Sequence, residues 1–106
     1  MCNAILDYKM HCTDITDEDA IRFLILVAFQ SEAEAILKIL RAKQSSCQLS
    51  TYFVGRMAFQ RLRRGVQNEM GSGFDLGRFH EAALDHGSIP VKYLPEVTRE
   101  RLKRAR

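Results

Sequence analysis

Tyr52 and Gly55 stand one turn apart on a helix-forming run whose lone charge between Gln44 and Gln60 is Arg56. A phenol on an interior helix brings apolar area and one O–H that needs a partner. Two chemistries suit it. The O–H is satisfied inside a core, or it is aimed at the oxyanion that forms when metal-bound water attacks a peptide carbonyl. Gly55 removes a side chain beside the phenol, admitting a backbone or a ligand at a helix cost of about 1 kcal/mol. Arg56 reaches solvent along its stem or pairs with an acid supplied from elsewhere.

His80-Glu81 opens like a zinc helix, but H-E-x-x-H needs a second histidine four residues on, and position 84 is Leu. His86 falls about 120° around the helix from His80. His11 and Cys12 are adjacent and also diverge. The chain therefore offers no metal site of its own, and no cofactor is expected in it. His80 lies within the stripe Leu76, Phe79 and Ala83, which suits a neutral imidazole bonded to a carbonyl or carboxylate. The functional alternative is a residue that positions substrate or another site residue. Gly71-Ser-Gly73 lacks the preceding strand and the Lys-Ser/Thr of a phosphate loop, so it reads as a helix-breaking turn.

With 106 residues, 46% hydrophobic and 27% charged, the composition is that of a globular domain rather than a disordered chain. The net charge of +3 resides in residues 95–106, where five cations oppose two acids. Residues 1–94 balance. The division is thus a helical portion, 1–94, and a basic tail, 95–106. The tail has no aromatic residue, so a solvated helix end is favoured over a nucleic-acid contact. Cys2, Cys12 and Cys47 have no C-x-x-C spacing and suit reduced thiols. The apolar run Phe23 to Phe29 is too short to span a bilayer, and no export signal is visible. The compartment stays open.

Every clear period is helical, so the fold class is all-α, a multi-helix bundle. Met1 to about His11 reads as a helix without an N-cap. Thr16 caps a second helix that starts Asp17-Glu-Asp, with Ala20, Ile21, Leu24, Ile25 and Ala28 on one face. Ser31 and Glu34 have capping-box spacing, opening a third with Ala33, Ile36, Leu37 and Leu40 as its stripe. The fourth runs from about Ser45 to Glu69, apolar around much of its circumference, which marks a helix buried on several sides. Asp75 caps a fifth, with Leu76, Phe79, Ala83 and Leu84 inward and Gly87 closing it. Pro90 and Pro95 suit first turns of one or two short terminal helices.

The order and spacing of several blocks resemble the C-terminal end of a bacterial family labelled domain of unknown function 885. The blocks are Lys9-Met-His11, Ala28-Phe-Gln-Ser-Glu-Ala-Glu-Ala35, Leu40-Arg-Ala-Lys43, Gln48-x-x-x-Tyr52-x-x-Gly55 and Phe74-Asp-Leu-x-x-Phe-His80-x-x-x-Leu84-x-x-Gly87-x-x-Pro90. The similarity spans about Ala4 to Leu94. It implies a C-terminal helical subdomain of a larger helical fold like the thimet-oligopeptidase and carboxypeptidase-Taq zinc peptidases, with H-E-x-x-H upstream.

In those relatives a tyrosine after the zinc ligands stabilises the transition state. The resemblance implies that role for Tyr52 and substrate contact for Gly55 and His80. It also implies zinc for the full-length fold. The expectation is a truncated or split portion, inactive alone, whose partners are the missing N-terminal half or a second copy. A peptide substrate enters only on completion. The alternative is a helical interaction module whose basic tail binds an acidic partner or nucleic acid.

Overall fold

The computed structural model describes residues 1–104. Among them are six α-helices, one 3-10 turn and no strand, so the chain is all-α. It divides into two compact units, Met1–Val54 and Gly55–Arg106.

The first unit holds α1 (Cys2–Cys12), α2 (Asp17–Leu26) and α3 (Glu32–Gln44). The Thr16 hydroxyl accepts the Asp19 N–H at 3.2 Å, and three acids follow in the first turn of α2, where the helix dipole favours them. At α3 the capping box is complete: Ser31 Oγ accepts the Glu34 N–H, and the Glu34 carboxylate accepts the Ser31 N–H. Between these helices lie Leu6, Ala20, Leu24, Ala35, Ile39, Ala42 and Leu49. Ala20, Ala35 and Ala42 are fully buried, so the helices pack through small side chains. Ile21, Ile25 and Ala28 pack partly buried around this core, and α2 turns the expected face inward.

For α3 the expected stripe is corrected. Ile36, Leu37 and Leu40 are exposed, and Ala35, Ile39 and Ala42 form the inward face. Both faces are apolar, and the neighbouring helices select the one whose alanines permit close approach.

In the second unit, α4 (Thr51–Met70, its first turn counted with the first unit), α5 (Leu76–Leu84) and α6 (Leu94–Arg104) enclose Leu62, Val66, Phe79, Ala82, Leu94 and Leu102. Helix α4 starts at Thr51 rather than near Ser45. It ends at the 3-10 turn Gly71–Gly73, where Gly71 takes φ +53°, a conformation open to glycine without a Cβ penalty. Asp75 caps α5 by accepting the Arg78 N–H at 2.8 Å. Phe79, Ala82 and Ala83 face inward, but Leu76 and Leu84 are exposed, correcting the wider stripe. Gly87, at φ +67°, follows the helix end. Pro95 falls in the first turn of α6, which buries Leu94, Thr98 and Leu102. Ala105 and Arg106, the end of the basic tail, lie outside the described residues.

Candidate functional site

Tyr52 occupies the first turn of α4 and is 77% exposed. The expectation of a phenol inside a helix buried on several sides is therefore corrected. Only Leu62 and Val66 of α4 are buried, and Val54 and Phe59 are also exposed. No hydrogen bond engages the Tyr52 hydroxyl among the described residues, so its proton is free for an external acceptor. Gly55 shares the helix three residues on, and a Cβ built there meets nothing within 4 Å.

His80, expected in an apolar stripe, is exposed on α5. Its ring lies 5.7 Å, centroid to centroid, from the buried Phe79 ring, tilted by 55°. It borders a groove of about 360 Å³ within the second unit. Arg56, Phe59 and Arg63 of α4 form one side, and His80, Ala83 and Leu84 of α5 the other. Arg56, the odd charge on its helix, belongs to this groove. Tyr52 belongs to the first unit, while Gly55, Arg56 and His80 belong to the second.

A constellation that sequence reasoning missed sits in the first unit. Asp7 of α1, a buried carboxylate, accepts the Ser50 hydroxyl at 2.7 Å and the Ser50 N–H at 3.2 Å. His11 Nε2 stands 3.3 Å from the other carboxylate oxygen. These are the residue types of a hydrolytic triad in the wrong order. The carboxylate sits between serine and histidine, so the imidazole does not reach the serine hydroxyl. The arrangement ties α1 to the start of α4. A lone acid among apolar residues of α1 was the available signal.

Three of the tail's cations pair with acids of this chain. Arg99 pairs with Glu69, Arg101 with Asp85, and Arg104 with Glu100. The Arg99 hydrogen bonds hold the Glu69 carboxyl below the usual glutamate range, and Glu69 in turn raises Arg99. Among the described residues, no three His, Cys, Asp or Glu side chains gather closely enough to hold a metal ion. Nor is any helix among them long and apolar enough to cross a membrane.

Helices packed through alanine seams, with caps in place and several apolar side chains left outward, define an all-α bundle. The chain belongs to the family described as bacterial protein of unknown function (DUF885), whose model matches residues 1–97. It is similar to the solved structure of "a putative lipoprotein of unknown function" from Shewanella oneidensis, at 41% identity and a TM-score of 0.86. That match covers 92% of this chain and 18% of the other, so the chain spans less than a fifth of the protein it resembles. No curated protein matches it.

Proposed function

We propose that the chain is the C-terminal helical portion of a zinc-metallopeptidase-like protein, without peptidase activity by itself. The observation that carries this reading is the presentation of Tyr52: an exposed phenol with no hydrogen-bond partner among the described residues. A tyrosine serving only the core would bury its ring and satisfy its O–H. In this reading Tyr52 donates that O–H to the oxyanion developing on a peptide carbonyl, and Gly55 leaves room for the substrate backbone. His80 contacts substrate from its own groove. No group of the described residues would hold zinc. In this reading the metal would be held by an H-E-x-x-H helix outside these 106 residues and would supply carbonyl polarisation and water activation there. The resemblance of the ordered blocks to the family's C-terminal end supports the assignment. The small share of the similar Shewanella protein that the chain spans supports only its being a portion of a larger fold.

A basic-tail interaction module is less well supported, because Arg99, Arg101 and Arg104 are engaged by acids of this chain.

The test is a quenched fluorescent peptide assay with added zinc. The purified chain is expected to show no turnover. Co-expression with the N-terminal remainder of a full-length family member is expected to give turnover, which Tyr52→Phe lowers about 100-fold. Hydrolysis by the chain alone, lost in Tyr52→Phe, would overturn the proposal.

A further inference from the structure

The groove between α4 and α5 has a feature that neither zinc nor Tyr52 explains. Arg56 and Arg63 stand seven residues apart on one face of α4, which separates their Cα atoms by about 10 Å. Neither makes an ion pair among the described residues, whereas the three arginines of α6 that are paired have acids from this chain. No acidic side chain lines the groove. Its floor is Phe79 and Ala83, both buried, and its rim includes Leu84, 70% exposed. Two guanidiniums without an ion-pair partner among the described residues therefore flank an apolar trough.

We propose that this groove binds an acidic peptide segment carrying two carboxylates about 10 Å apart around a large apolar side chain. Charge complementarity names the occupant. Guanidiniums recognise carboxylates through paired N–H donors, and the exposed apolar wall supplies area that only an apolar anchor can cover. A small monocarboxylate engages one arginine and leaves the other idle. In a peptide held as a polyproline II helix, with three residues per turn, side chains at positions i and i+3 share one edge about 9 Å apart and reach both. His80 borders the same trough and adds a hydrogen-bonding edge beside the anchor. The inference shares His80 and its groove with the peptidase reading but requires neither a metal nor Tyr52, so its failure leaves that reading's own test untouched.

The experiment is fluorescence anisotropy on the full chain with an end-capped, labelled peptide of core Glu-Phe-Leu-Glu, against its Gln-Phe-Leu-Gln counterpart. Binding of the acidic peptide is expected to exceed that of the neutral one about tenfold. Arg56→Gln with Arg63→Gln is expected to remove that preference. Arg61→Gln with Arg64→Gln takes the same charge from α4 outside the groove and is expected to change affinity less than about twofold. Circular dichroism checks that both double variants keep their helices. No measurable binding, equal affinity for the two peptides, equal losses in the two double variants, or displacement by laurate in preference to the acidic peptide would each overturn the proposal.

Discussion

The carboxylate of Asp7 reaches across 43 residues to hold Ser50, accepting its hydroxyl at 2.7 Å and its backbone N–H at 3.2 Å. Asp7 is 3% exposed, so these bonds compensate the desolvation of a charge. They also satisfy an N–H just ahead of α4, where helix starts leave donors unpaired. Removing the acid strands the Ser50 N–H and hydroxyl together. Asp7→Ala is expected to lower stability by about 2–3 kcal/mol, and Ser50→Ala by about 1 kcal/mol. Urea denaturation followed by circular dichroism measures both; a loss below about 0.5 kcal/mol for Asp7→Ala would contradict the clamp.

The Glu69–Arg99 pair gives a pH dependence whose sign follows from geometry. Arg99 Nε lies 2.9 Å and Nη2 2.7 Å from the two carboxylate oxygens, a forked contact. The hydrogen bond from Arg99 is the main cause that lowers the Glu69 pKa from its ordinary 4.5. A folded-state pKa below the unfolded one gives stability that is present above the unfolded value and lost as pH falls through the folded one. Glu69→Gln is therefore expected to be less stable than the parent at neutral pH. The gap should close as acid protonates Glu69. Thermal melts of both proteins across an acid titration check this. A gap that stays constant with pH would show that the pair contributes nothing through its charge.

Gly55 is an interior helical glycine whose Cβ position is empty. Alanine there should stabilise the helix by about 0.5–1 kcal/mol, since nothing clashes and backbone entropy is saved. A position that sacrifices stability without a packing reason points to a requirement for space. Gly55→Ala is expected to raise the melting temperature of this chain and to lower activity in a completed protein. A melting temperature that falls would reveal a contact at that flank.

Thr98 is fully buried on α6, and its hydroxyl has no hydrogen-bond partner among the described residues. Thr98→Val keeps the shape and removes the orphaned O–H. Stability is expected to rise by about 1 kcal/mol in a denaturant titration. A loss of that size would show that the hydroxyl is bonded in solution.

The caps at Thr16, Ser31 and Asp75 and the break at Gly71 were legible because each depends on residues within one turn. The inward face of α2 was legible too, since its opposite side carries Asp17, Glu18 and Arg22. Helix α3 was not, because Ile36, Leu37 and Leu40 make a more apolar stripe than Ala35, Ile39 and Ala42. Periodicity ranks faces by apolar area, whereas close helix packing here favours alanine. The same bias put Tyr52 and His80 indoors, although both are exposed. The Asp7–Ser50 clamp joins positions 43 residues apart, and no local pattern encodes it.

That second apolar face of α3 leads to a prediction about the chain in solution. Leu37 and Leu40 are more than half exposed, and Leu26, Val27 and Phe29 are exposed at and beyond the end of α2. Phe29 is the extreme, 89% exposed with φ +54°, a backbone state that costs a side-chain-bearing residue about 1 kcal/mol or more. Apolar side chains kept outward, one of them on strained backbone, suit surfaces that another polypeptide covers. The isolated chain is therefore expected to self-associate and to bind hydrophobic dye. Leu37→Glu with Leu40→Glu should make it monomeric in sedimentation and dim the dye signal, with helix content unchanged because Ala35, Ile39 and Ala42 still pack inward. Phe29→Gly should relieve the strain and raise stability by about 1 kcal/mol. A parent chain that sediments as a monomer without dye binding would mean that these faces need no cover.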